Sequence, residues 1–387
     1  MDVDELKKNF IARYGGTAQG LEVFFAPGRI NLIGEHTDYN NGYVLPCAIN
    51  FGTYLLARPN DEKMVRLASE NFDFTTQISI EKPMARHHDH WVNYPLGVYN
   101  EFAQRKVKVQ GADLLYYGNI PNGAGLSSSA SIEVATAVML NDQARADLPM
   151  MELVKLSQQA ENQFVGLNCG IMDQFAVGFG KKDHALFLEI ATMKYEPVPL
   201  KLADYRIIVA NTNKRRGLAD SKYNERVKEC RKAVEYLRQV RPINFLSDMS
   251  FPEFVSVKHL IPETTIRKRA RHILSENQRV LDAVAALRHG DLPLLGQLMN
   301  ASHNSLRYDY EVTGAELDAL AEAARRTPGV LGSRMTGAGF GGCTISLVQK
   351  DTIANFKESV AQQYHQATGL QAEFYETEPG DGARKLS

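Results

Sequence analysis

The stretch Pro121-Asn122-Gly123-Ala124-Gly125-Leu126-Ser127-Ser128-Ser129-Ala130-Ser131 constrains this chain more than any other. It follows Asp113–Tyr117, an apolar run that reads as a strand. It runs into Ser128–Leu140, where Ile132, Ala135, Val138 and Met139 share one helical face. Glycine permits positive φ and lets the backbone approach a ligand closely. The start of a helix presents unpaired N–H groups and the positive end of its dipole. Serine hydroxyls add donors for phosphate oxygens and a hard oxygen ligand for Mg²⁺. A strand, a glycine loop and a helix in this order therefore form an anion cradle, although a loop that merely caps a helix fits the same residues taken alone. The Gly-Lys-Ser/Thr of a Walker A loop is absent, which argues against an ordinary P-loop nucleotidase.

Two further segments concentrate chemistry. Met335-Thr336-Gly337-Ala338-Gly339-Phe340-Gly341-Gly342-Cys343 places four glycines in six residues between two strand-like runs. So close to core strands, this pattern suits backbone approach to a ligand or to the first glycine loop better than a linker. Ala26–Asn40 gathers Glu35, His36 and Asp38 within four residues of a Pro- and Gly-punctuated stretch. Carboxylates so placed accept from vicinal hydroxyls, as sugar recognition requires. One histidine with two carboxylates is a weak metal signature. Asp173 stands among apolar neighbours in Cys169–Ala176, where a carboxylate is costly unless paired or functional. Arg29 is the expected partner; a purely structural ion pair and a catalytic carboxylate both fit.

The chain of 387 residues suits two domains, with a boundary expected near residue 200 (1–200 and 201–387). A formal charge of −1 argues against general attraction to nucleic acid or anionic lipid. No apolar run approaches the roughly 18–20 residues of a membrane helix, and Met1–Lys8 lacks the apolar core of a secretory signal. Cys47, Cys169, Cys230 and Cys343 are far apart, so free thiols in a reducing cytoplasm are expected. The pattern predicts strands at Leu21–Phe25 and Tyr205–Ala210, and helices at Met151–Phe164, Tyr223–Val240, Glu276–Arg288, Leu292–Ser302 and Ala315–Arg326. It ends in strand Ser333–Thr336, strand Thr344–Val348, helix Asp351–Gln366 and strand Ala372–Tyr375, a βαβ close that fits an α+β sandwich.

Taken together, Gly28–Asp38, Gly123–Ser131 and Gly337–Cys343, with Asn162–Gly166 and Gly170–Gln174, resemble the galactokinases of the GHMP kinase family in motif and spacing over nearly the whole chain. The first motif is specific to galactokinases within that family; the phosphate loop is shared more widely. The resemblance implies an N-terminal ribosomal-protein-S5 domain 2-like fold, a C-terminal ferredoxin-like sandwich and a site in the cleft between them. It implies transfer of the γ-phosphate of ATP to the C1 hydroxyl of D-galactose, the entry step of galactose metabolism. Asp173 matches the catalytic aspartate and Arg29 the arginine that keeps it ionised. Glu35, His36, Thr37, Asp38 and Tyr223 match the sugar-holding set. Gly123, Ala124, Gly125, Leu126, Ser127, Ser128 and Ser129 match the triphosphate cradle, Ser129 and Glu161 the Mg²⁺ positions, and Ser69 the nucleotide side. A monomer or weak homo-oligomer is expected, with no nucleic-acid or membrane partner.

Two other readings share the resemblance. A kinase for N-acetylgalactosamine needs room for the C2 acetamido group. A galactose-sensing regulator without turnover is marked by a phosphate loop lacking a Ser-Ala pair; here Ser127–Ser131 is intact, which favours an enzyme. Arg86-His87-His88-Asp89-His90 reads as a solvated turn rather than a metal site. Arg267-Lys268-Arg269-Ala270-Arg271-His272 reads as a solvated basic helix face rather than a nucleic-acid contact. Trp91 either walls the adenine pocket or packs in the core, with the pocket favoured by analogy.

Overall fold

The computed structural model describes residues 1–387 apart from Asp89, Asn122 and residues 215–218. Its first layer is a six-stranded sheet in the order Arg384–Lys385, Glu22–Asn31, Pro46–Asn60, Gly111–Gly118, Met64–Ser69, Thr76–Ser79. Only Met64–Ser69 and Gly111–Gly118 pair in parallel, and helix Asn93–Gln104 supplies their crossover. Alternate residues face opposite sides. Phe24, Leu55, Leu67 and Leu114 pack beneath helices Asn93–Gln104 and Ser128–Ala144, while Val23, Leu56, Ala68 and Leu115 pack against helix Val3–Tyr14. Both faces are covered, so these strands read as continuous apolar runs rather than alternating ones.

The second sheet has the order Val330–Thr336, Cys343–Gln349, Tyr205–Asn211, Glu373–Thr377, with every neighbour antiparallel. Cys343–Gln349 and Glu373–Thr377 therefore run parallel on either side of Tyr205–Asn211, joined by helix Ile353–Thr368. This is the split βαβ arrangement of a ferredoxin-like sandwich, and the α+β expectation holds. Ile30, Leu45 and Cys47 of the first layer share one core cluster with Ile207, Val209, Ile345 and Leu347 of the second. The end of the chain returns across residue 200, since Arg384–Lys385 pairs with Phe24 and Phe25.

Several elements differ from the sequence expectation. Helix Val3–Tyr14, strand Pro46–Asn60 and helix Asn93–Gln104 were not anticipated. Gly52 hides the second of these: it reads as a turn residue, yet a Cβ there would sit 2.3 Å from the carbonyl oxygen of Ala26, so it marks close strand approach. The expected helix Met151–Phe164 is an α-helix only through Gln159, widening to a π-turn at Ala160–Val165. The expected Glu276–Arg288 is the end of a longer helix, Thr264–His289. That length corrects the reading of residues 267–272. Arg269 and His272 point inward at helical spacing and are buried, Arg269 pairing with Glu229 and Glu311, so the run is not a uniformly solvated face.

Candidate active site

The register of strand Glu22–Asn31 shifts between Pro27 and Arg29. At this irregularity Gly28 lies so close to the glycine loop that a Cβ would stand 2.6 Å from the Leu126 carbonyl oxygen. The Arg29 N–H donates to that same oxygen at 3.1 Å. The bulge thus turns Arg29 toward the loop, where its Nη1 donates to Gly125 O at 2.8 Å.

Asp173 enters from the first turn of helix Met172–Phe179. Arg29 Nε and Nη2 meet its two oxygens at 2.8 and 2.6 Å, a bidentate pair. Ser127 Oγ donates to Oδ2 at 2.5 Å. The Arg29 side chain is 5% exposed and that of Asp173 28%, so the carboxylate is gripped from behind while remaining reachable. Ser127 adopts φ 63° and caps helix Ser128–Ala144 without a side-chain cap bond, because its hydroxyl serves Asp173. Ser127, expected in the phosphate cradle, directs its hydroxyl to Asp173 in this structure.

In front of Asp173 lies a cavity of about 440 Å³ lined by Arg29, Glu35, His36, Asp38, Glu161, Cys169, Gly170, Tyr223 and Ala338, among others. Glu35 is buried; its Oε1 accepts Gly337 N–H at 2.8 Å and faces Arg334 Nη1 at 3.3 Å. Burial pushes its carboxyl upward against the opposing pull of Arg334 and Arg29. Asp38 is pushed up to about 7, first by burial and then by the nearby charge of Asp173. His36, at φ 65°, is lowered to about 3 by burial and then by His272, so its ring is neutral. Its Nε2 faces Ala338 O at 3.1 Å and its Nδ1 the Tyr39 hydroxyl at 2.9 Å. Thr37 does not reach the cavity: its buried hydroxyl faces the carbonyls of Gly34 and Tyr43.

A second cavity, about 210 Å³, opens at the start of helix Ser128–Ala144. It is lined by Ser69, Phe72, Trp91, Tyr94, Ser128 and Ser129, among others. Phe72 and Trp91 stack with 6.3 Å between centroids, and Trp91 Nε1 donates to Phe74 O. Gly123 and Gly125 hold positive φ in the loop. Ala124 and Leu126 bury their side chains in the core, leaving only backbone to offer a ligand. Asn122 lies outside the described residues.

Behind the loop sits an acidic group that the sequence reading named only in part. Glu161, carried on the π-turn, and the fully buried Glu133 both accept from Gln174 Nε2, at 2.6 and 3.1 Å. Burial raises both carboxyls, and Ser129 bonds to Glu161. Glu133 Oε1 and Gln174 Oε1 have no hydrogen-bond partner among the described residues. The signal for Glu133 was its helical spacing from Ser129, which turns it inward. His90 stacks face to face on Phe74 at 3.7 Å, and the described residues contain no group of three or more His, Cys, Asp or Glu arranged for a metal. Asp89 of that run lies outside the described residues.

The galactokinase galactose-binding signature matches residues 8–59, the GHMP kinases N terminal domain residues 93–181 and the GHMP kinases C terminal domain residues 283–366. The galactokinase of Fusobacterium nucleatum is 50% identical over 99% of this chain and 100% of its own. The chain belongs to the galactokinase family. The galactokinase of Clostridium acetobutylicum is 49% identical, covering 100% of this chain and 98% of its own. The crystal structure of Lactococcus lactis galactokinase complexed with galactose superposes with a TM-score of 0.96 at 45% identity, covering 99% and 100% of the two chains. A mevalonate kinase from Methanococcus jannaschii, at 16% identity and a TM-score of 0.67, shares the fold. As a galactokinase-family member the chain is an ATP-using sugar kinase. No helix among the described residues is long and apolar enough to cross a membrane.

Proposed function

We propose that the 440 Å³ cavity seats D-galactose with its C1 hydroxyl at Asp173, and that ATP lies in the 210 Å³ cavity with its phosphates over Gly123–Ser129. The observation that carries this reading is the clamped carboxylate, which Arg29 and Ser127 hold in the lining of the larger cavity, while Ser128 and Ser129, next in the chain to Ser127, line the smaller. A positioned base contributes typically 10²–10⁴-fold, and the anomeric hydroxyl is a more acidic nucleophile than an ordinary alcohol. Asp173 takes or orients its proton while the oxygen attacks the γ-phosphorus and the bond from that phosphorus to the β,γ-bridging oxygen breaks, releasing ADP. The remaining catalysis is alignment and neutralisation of oxygen charge. Arg29 bridges Asp173 and Gly125 and thereby fixes the base relative to the phosphate loop.

Glu35, Asp38 and Tyr223 present acceptors and a donor to the ring hydroxyls, and His36 shapes the wall. Hard oxygen ligands suit Mg²⁺, and the partnerless oxygen of Glu133 beside Glu161 and Ser129 supports a cation here. Ser129 and Glu161 would hold it. Mg²⁺, when bound, neutralises triphosphate charge. The expected setting is the cytoplasm, as a monomer or weak homo-oligomer.

ADP release measured across a hexose panel tests this. Turnover is expected with galactose and not with glucose. Equal or better use of N-acetylgalactosamine, or no galactose-dependent ADP release, would overturn it.

A further inference from the structure

Arg334 lies on strand Val330–Thr336 with no exposed surface. Its Nη1 donates to Asn31 O at 2.8 Å and stands 3.3 Å from Glu35 Oε1. Its Nε and Nη2 meet no hydrogen-bond partner among the described residues. Such a group is a poor core stabiliser. Burying a guanidinium carries a large desolvation penalty, and an apolar side chain of similar volume often serves stability as well or better. Its value must lie in what it touches.

The Glu35 oxygen that faces Arg334 is the one that accepts the Gly337 N–H. Two residues along the strand, on the same face, Thr336 Oγ1 accepts from Asn31 N at 3.0 Å. Strand Val330–Thr336 therefore grips the sugar-side segment at alternate positions and presents one cation to its carboxylate. We propose that Arg334 is a positioning residue for sugar recognition: it anchors the Glu35 carboxylate so that Glu35 accepts a hydroxyl of the bound hexose, and it takes no part in nucleotide binding. Among the influences on Glu35, Arg334 is the largest opposing burial. The inference rests on the proposed seating of galactose in this cavity.

The test compares R334M, R334K, E35Q and E35Q/R334M, with galactose and ATP varied separately and thermal midpoints recorded. R334M is expected to raise the galactose KM on the order of tenfold or more. The ATP KM should stay within about threefold, because uniform loss of one substrate's binding leaves the other intact. R334K is expected to recover part of the loss. In the E35Q background, R334M should add less than about threefold, since the two residues act as one unit. Equal rises in both KM values, or full additivity of the two substitutions, would overturn the proposal. Should R334M fail to fold, R334K decides: a galactose KM raised severalfold supports the assignment and a parental value sinks it. A parent enzyme that ignores galactose removes the functional reading itself, an outcome visible before any variant is made.

Discussion

The ring of His36 reaches Ala338, 302 residues away in the chain, and donates through Nε2 to its carbonyl oxygen at 3.1 Å. A carbonyl only accepts, so the proton sits on Nε2 and Nδ1 accepts from the Tyr39 hydroxyl. Tyr39 in turn meets Tyr310 at 2.7 Å. Both ring nitrogens are thus engaged by protein. His36 ties the Ala26–Asn40 segment to the second glycine loop and presents its ring in the cavity lining.

Asp173→Asn keeps the size of the side chain and removes the base. Turnover is expected to fall 10²–10⁴-fold, while galactose affinity by equilibrium titration stays within a few-fold. Activity close to the parent would show that Asp173 is not the base.

Ser127→Ala deletes the second donor to Asp173 Oδ2 and leaves Arg29 in place. A hydrogen bond to a charged group is worth about 1.5–3 kcal/mol, so kcat should fall roughly 10- to 100-fold with little change in ATP KM. A raised ATP KM at parental kcat would instead return the hydroxyl to the phosphates.

Gly170→Ala puts a methyl carbon 1.6 Å from the present position of Asp38 Oδ2. Asp38 must move, and small displacements of a substrate-positioning group are expensive. Steady-state kinetics should show a galactose KM higher by on the order of tenfold and an almost unchanged ATP KM. Unchanged galactose KM would mean that Asp38 does not hold the sugar.

The acid limb of stability should carry a buried-histidine signature. His36 and His272 are lowered to about 3 and about 4, chiefly by burial. Between the ordinary histidine value and those values the unfolded chain binds protons that the folded protein refuses, so stability falls as pH drops through this window. Asp38 works the other way. Its pKa of about 7 gives the folded state a proton first, a contribution present at low pH and lost as pH rises through 7. His272→Gln should lower the thermal midpoint at pH 8, through lost bonds to Ser305 and to Glu35 O, and should flatten its decline between pH 7 and 5. A decline as steep as the parent's would remove His272 from the account.

Much of this was legible because the relevant signals are local. Glycine spacing, serine at a helix start and apolar periodicity each concern a few adjacent residues, and they located the first glycine loop and its helix, most other helices and the second sheet. The Arg29–Asp173 pair was legible as well, since an isolated carboxylate among apolar neighbours demands a cation. The basic run at 267–272 misled, because its inward residues find partners on other elements, Arg269 with Glu229 and Glu311 and His272 with Ser305 and Glu35 O.

By itself the sequence determined which chemistry is present and on which short elements it rides, because backbone conformation and helical phase are set by near neighbours. Only the tertiary structure decided what each polar atom faces. Whether Ser127 serves phosphate or Asp173, and that Arg334 stands behind Glu35, depend on contacts between residues tens to hundreds of positions apart. Such contacts follow from sheet register and a strand irregularity, which no local pattern specifies.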